Sequence, residues 1–288
     1  MTVLCIGGTG NVGQALVPLL LARGEPVRVV TRDEARIQSL PEGVEAFVGD
    51  LDDPGIIRDA LDGVRAVYMA LAMSPMEAYH GLTSVNVMTY RKPEHLVYLS
   101  SDISVHAPFM PSTGSKVGIE AAIRASGIPY TIMRPTFFFQ NDYWVKDAIM
   151  NGAYAFPIGP TPVARVDVRD IADVAVAALL DGKAIDETVL LSSPDAPNGD
   201  ETAAIWSEAL GRPIAPPSQC RDVWAKIQST MPPWLVFDLD AIKQQFDTDG
   251  HPLNEAGRGM QDAILGRSPR RYRDFVQETA KLWLDEAS

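Results

Sequence analysis

The chain has 288 residues, 46% of them hydrophobic, enough for one large domain or a domain with a smaller lobe around a sizeable core. Its net charge of −12, from 25 basic and 37 acidic side chains, argues against general binding to nucleic acid or to an anionic membrane. Two cysteines, Cys5 and Cys220, exclude a disulfide framework, no basic leader precedes the first apolar run, and no apolar run reaches the ~18–20 residues of a membrane span, so a cytoplasmic protein is expected.

Val3-Leu4-Cys5-Ile6 reads as a strand and Ala15 to Leu21 as a helix. Between them lies Gly7-Gly8-Thr9-Gly10-Asn11-Val12-Gly13. Strand, glycine turn and helix in succession form the setting of a dinucleotide-binding fingerprint. A diphosphate needs backbone N–H groups at a helix N-terminus, where the positive dipole end favours an anion, and any Cβ there would hold it away. Gly7, Gly10 and Gly13 fit G-x-x-G-x-x-G, while Gly8, Gly10 and Gly13 fit G-x-G-x-x-G; spacing alone does not choose between them.

Pro26 to Thr31 and Val44 to Val48 read as the second and third strands, Pro54 to Leu61 as a short helix, and Ala66 to Leu71 and Leu96 to Ser100 as the next two strands. The pattern from Ala72 to Pro93 is weak and only partly helical. Lys116 to Ser126 reads as a helix ended by Gly127, and Pro129 to Met133 as the sixth strand. A helix capped by Asp170 and a last strand at Thr188 to Leu191 follow. Apolar strands separated by helices predict an α/β fold, a doubly wound, mostly parallel Rossmann sheet covered on both faces. Residues 1–138, completed by 163–193, are expected to form the dinucleotide core; 139–162 and the proline-punctuated 194–288 form a smaller helical or mixed substrate-side lobe. Its final helix is expected to start near Pro269, with Ser268 as cap and Tyr272, Phe275, Val276, Ala280 and Leu284 on one face.

In such a fold the residue after the second strand meets the adenosine ribose: an acid suits NAD, an arginine the 2′-phosphate of NADP. Here Thr31-Arg32, with Arg36 one turn on, favours NADP(H) over NAD(H), while the adjacent Asp33 leaves NAD(H) open. Asp50 and Leu51 are placed to bracket the adenine, against an ordinary strand-end acid. Ala70 and Leu71 end the fourth strand, where they would lie along the cofactor. Ser100 and Ser101 end the fifth, and a hydroxyl there could bond cofactor or substrate oxygen. His106 is a candidate proton donor nearby. Phe137, Phe138, Phe139, Tyr143 and Trp144 form the densest aromatic cluster and suit a planar, hydrophobic substrate, with Phe138, Tyr143 and Trp144 as candidate contacts. Lys116 on its own reads as a surface lysine pairing with Glu120. No Cys/His/Asp group has zinc spacing and no nucleophile-elbow motif is present.

Together with Leu99-Ser100-Ser101, Lys116-Val117-Gly118-Ile119-Glu120, the run Ser126 to Pro135, Asp167 to Ala172 and Gly266 to Arg270, these features resemble the NmrA-like branch of the atypical short-chain dehydrogenase/reductases, over nearly the whole chain. The resemblance implies NADP(H) as cofactor, a C-terminal lobe over the nicotinamide, and Pro135 and Phe137 near the nicotinamide amide. It also implies that Lys116 is the catalytic lysine, holding the nicotinamide ribose. The tyrosine usual four residues before that lysine is replaced by Ser112, which lacks the acidity of a proton donor. Two functions follow. One is an NADPH-dependent reductase passing hydride to a quinone or other hydrophobic electrophile; the other is a non-catalytic NADP(H)-sensing regulator. The expected partner is a small hydrophobic or aromatic substrate, with a homodimer as an option and with neither nucleic acid nor membrane.

Overall fold

The structure is a computed structural model that describes residues 2–103 and 110–286. In its first half the elements are β1 (Thr2–Ile6), α1 (Asn11–Ala22), β2 (Val27–Thr31), β3 (Glu45–Val48), α2 (Pro54–Ala60), β4 (Val64–Ala70), α3 (Glu77–Arg91), β5 (His95–Leu99), α4 (Pro111–Ala125) and β6 (Tyr130–Pro135). There follow β7 (Phe137–Phe138), α5 (Lys146–Met150), β8 (Arg165–Val166), α6 (Val168–Asp181), β9 (Glu187–Leu191), α7 (Gly199–Leu210), α8 (Arg221–Gln228), α9 (Pro233–Thr248), α10 (Glu255–Leu265) and α11 (Tyr272–Glu286).

Seven strands form one sheet in the order β3-β2-β1-β4-β5-β6-β9, every neighbouring pair parallel. Val3, Leu4, Cys5 and Ile6 are all buried, as are Ala66, Val67, Tyr68 and Met69. Strands covered on both faces have no solvent side, which is why their sequences are apolar without alternation. The strand order reverses between β1 and β4. In an open parallel sheet, that switch point leaves a crevice at the strands' carboxyl ends.

The chain divides into two compact units. The first comprises Met1–Pro135, Val168–Leu191 and Gly257–Gly266. Within it, Leu4, Ile6, Leu96 and Tyr98 share a core with Ile57, Val85, Met88, Ile119 and Ile123 from α2, α3 and α4. The second comprises Thr136–Asp167, Ser192–Ala256 and Arg267–Ser288. Its aromatic core includes Phe139, Phe156, Trp206, Phe246, Tyr272 and Trp283, with the Trp206 and Trp283 rings stacked 5.0 Å apart. At its centre Asp142 and Arg165, both fully buried, face each other at 3.5 Å. Tyr154, Tyr272 and Trp206 donate hydrogen bonds to the same carboxylate, and the Arg165 guanidinium lies 4.1 Å over the Tyr272 ring. Burial pushes the Asp142 carboxyl up, against the opposing pull of Arg165 and the three donors.

Four elements depart from the sequence expectation. The weak stretch after β4 holds the 15-residue α3, whose buried face includes Glu77, Gly81 and Ser84 beside Val85 and Met88. Polar and glycine positions on the inward face hide its period. Helix α4 starts at Pro111, where proline fits the first turn because it lacks an N–H to satisfy. Helix α6 starts at Val168, so Asp170 is buried inside the first turn instead of capping it. Helix α11 starts at Tyr272, beyond Ser268 and Pro269, and it buries Trp283 while Leu284 stays 43% exposed.

Candidate functional site

The glycine loop joins β1 to α1. Gly7 has φ +85°, and a Cβ there would collide with the carbonyl oxygen of Ala70. A Cβ on Gly13 would collide with the carbonyl oxygens of Gly7 and Gly8, and one on Gly8 would lie 2.8 Å from Val29. The protein's own packing therefore accounts for three of the four glycines. Gly10 differs: its φ is −81°, and a Cβ would meet only the Gly7 oxygen, at 3.3 Å. Gly10 is the N-cap of α1, makes no side-chain cap, and the first turn carries no acid. Among the described residues, no side chain caps the N-terminus of this 12-residue helix and no carboxylate stands in its first turn. That is the cradle a diphosphate requires, and Thr9, Asn11 and Val12 complete the loop.

Next to the loop, β2 ends at Thr31 and Arg32 is exposed. Asp33 caps the following 3-10 turn, accepting from the Ala35 N–H at 3.0 Å, and also faces the Arg36 guanidinium at 3.5 Å. Arg36 reaches the Thr9 carbonyl oxygen, also at 3.5 Å. Asp33 is thus engaged by a cap and an arginine, while Glu34 opens the same turn, so Arg32 and Arg36 stand beside two acids in this corner of the sequence.

Beyond β3, Asp50 and Asp52 face His80 Nε2 at 3.8 and 2.6 Å, and Leu51 lies half-buried between the two acids. Ala70 ends β4 beside Gly7, and Leu71 follows it. Ser100 is buried after β5 and donates to Glu120 Oε1 at 2.6 Å, so its hydroxyl proton is used inside the protein; Ser101 is half-buried. Pro135 closes β6. Gly7 to Gly13, Arg32, Asp50, Leu51, Ala70, Leu71, Ser100, Ser101 and Pro135 all belong to the first unit and all follow or end strands of one parallel sheet. Phe137, Phe138, Tyr143 and Trp144 belong to the second unit. There Phe137 packs on Phe156 and Phe246, Phe139 is fully buried, and Tyr143 and Trp144 are each 46% exposed. His106 lies outside the described residues.

Lys116 does not pair with Glu120. Its ammonium donates to the carboxylate of Glu77, 39 residues away on α3, with the Glu77 side chain 1% exposed. Glu120 is already saturated. Arg134 donates to it at 2.9 and 2.5 Å, Arg124 at 3.0 Å, and Ser100 from β5. Burial works against the Glu120 charge, but the hydrogen bonds from Arg134 and Ser100 outweigh it and hold the carboxyl below the usual range. Arg134 is raised in turn, first by its hydrogen bond to Glu120. Sequence reasoning missed Glu77 and Arg134 as partners, since a contact 39 residues apart leaves no local spacing to read.

The model of the NmrA-like family matches residues 1–264. A (4-alkanoyl-5-oxo-2,5-dihydrofuran-3-yl)methyl phosphate reductase from Streptomyces griseus is 34% identical over 288 residues, spanning 99% of this chain and 100% of that protein. An NAD(P)H azoreductase from Xenophilus azovorans is 32% identical over 216 residues, spanning 74% of this chain and 75% of that one. Among solved structures, Citrobacter sp. triphenylmethane reductase complexed with NADP(H) superposes with a TM-score of 0.81 at 19% identity, covering 97% of this chain and 100% of the other. With the glycine loop, the parallel sheet and its strand order in agreement, the chain belongs to the NmrA-like family.

Proposed function

We propose that this protein is an NADPH-dependent reductase that acts on a quinone or another hydrophobic, electrophilic small molecule. The observation that carries the cofactor half is the bare N-terminus of α1 behind Gly10, flanked by Arg32 and Arg36. Gly7 to Gly13 would hold the diphosphate, and the two guanidiniums suit a 2′-phosphate. Asp50, Leu51, Ala70 and Leu71 line the same sheet edge, where ligands of open α/β sheets bind. Bound NADPH supplies the hydride.

Lys116 is the residue for the reacting end. Glu77 takes one of its three N–H donors, and the ammonium could offer the others to ribose hydroxyls or to negative charge developing on an acceptor oxygen. Ser112, on the first turn of α4, offers no acidic proton, so an acceptor whose reduced form is itself weakly basic, such as a quinone, fits best. The exposed faces of Tyr143 and Trp144 suit a planar substrate. The two relatives above, at 34% and 32% identity, are named as reductases, which favours turnover over pure sensing.

The test is direct. Measure NADPH and NADH binding, then follow NADPH oxidation over a panel of quinones, enones and azo or triphenylmethane dyes. Tight NADPH binding with turnover on some of the panel supports the reading. Binding without turnover moves the assignment to an NADP(H)-sensing regulator, and weak binding of both cofactors sinks it. Arg32→Ala is expected to weaken NADPH by about tenfold or more while leaving NADH within about twofold, as removal of one charge-assisted phosphate contact predicts.

A further inference from the structure

We infer that Glu77 is the positioning residue for Lys116: its buried carboxylate holds and aims the ammonium, so that reduction depends on an acid on α3 as well as a lysine on α4. The inference rests on the reductase reading above for its functional part.

The contact is built by the packing of two helices. Glu77 is the first residue of α3, just beyond the loop that leaves the carboxyl end of β4, where a carboxylate is favoured by the helix N-terminus. One turn further, Gly81 faces Ile119, three residues after Lys116. A Cβ on Gly81 would run into the Ile119 side chain and come within 3.0 Å of Leu71 Cδ1. The absence of that Cβ lets α3 and α4 close on each other and on the end of β4, which brings residue 77 to residue 116. The pairing is selective. Lys116 has an acid at i+4, the usual helix-surface partner, yet Glu120 is held by Arg134, Arg124 and Ser100. Nor is this a solvated pair: Glu77 is 1% exposed and Lys116 15%. A carboxylate so deeply placed needs a cation against it. Holding the ammonium at one place on α4 is then a function for Glu77.

The experiment compares wild type with Glu77→Gln, Glu77→Asp and Lys116→Met. Folding is checked by thermal melting, and NADPH affinity by fluorescence. Reactivity of Lys116 is read without turnover, by competitive acetylation at fixed pH with site-resolved mass spectrometry. The expected result is that Glu77→Gln raises labelling of Lys116 by about threefold or more, because the amine loses the group that holds it. It also lowers kcat by about tenfold and changes NADPH affinity by less than about threefold. Glu77→Asp restores part of both. Unchanged Lys116 labelling in a folded Glu77→Gln overturns the coupling. A labelling change without any change in kcat overturns the functional part and leaves a structural pair. Loss of turnover in wild type itself sinks the reductase reading, and the labelling arm still decides the coupling.

Discussion

Glu120 collects hydrogen bonds from Ser100, Arg124 and Arg134, joining β5, β6 and α4 through a single carboxylate. Because its folded carboxyl lies below the ordinary range, its contribution to stability is complete above the unfolded carboxylate value of about 4.3 and is lost as pH falls through the folded value. Glu120→Gln should therefore cost about 2–3 kcal/mol near pH 7, toward the low end for a broken buried pair because Arg124 and Arg134 keep some solvent. Urea melts at pH 7 and below pH 4 check this: the gap between variant and wild type must narrow in acid. A gap of equal size at both pH values would mean that packing, not charge, is what Glu120 supplies. Glu120 was visible in the sequence as a neighbour of Lys116, but its role was not. Which acid takes which cation depends on Arg134 arriving from β6, and a one-dimensional spacing rule cannot include it.

The β1–α1 unit shows how glycines of one motif divide their work. A methyl at Gly13 meets two backbone oxygens that cannot move aside, whereas a methyl at Gly10 meets one oxygen at 3.3 Å. Gly13→Ala should destabilise by about 2 kcal/mol or more, as overpacking against backbone does. Gly10→Ala should cost under about 1 kcal/mol yet weaken NADPH binding by about tenfold or more, since its Cβ enters the cradle. Denaturant melts beside a binding titration separate the two effects. A Gly10→Ala protein that binds NADPH like wild type would remove the cradle argument. Sequence spacing left open which glycines count, because both patterns fit; three-dimensional neighbours distinguish them. Helix α3 was the hardest element to read, and for a related reason. Its inward face carries Glu77 and Gly81, each explained only by α4.

For the molecule as a whole, a cofactor that binds only the folded chain adds stability by mass action, about 2.7 kcal/mol at a concentration one hundred times its Kd. NADPH should thus raise the melting temperature clearly, and NADH at the same concentration should raise it less; equal shifts would contradict the preference assigned to Arg32 and Arg36. The second unit carries its own interior logic, with the Asp142 carboxylate facing Arg165 and accepting from Tyr154, Trp206 and Tyr272. These five residues lie far apart in the chain, and none belongs to a motif. The sequence alone determined the α/β class, the strand–glycine–helix opening and the NmrA-like kinship, because apolar runs and turn glycines act locally and leave periodic marks. Only the tertiary structure decided that Lys116 answers to Glu77, that Ser100 answers to Glu120, and that Gly10 is the one glycine of the loop whose Cβ would meet a single oxygen, at 3.3 Å. Those outcomes are settled by the distance between groups remote in sequence, and distance is what folding adds.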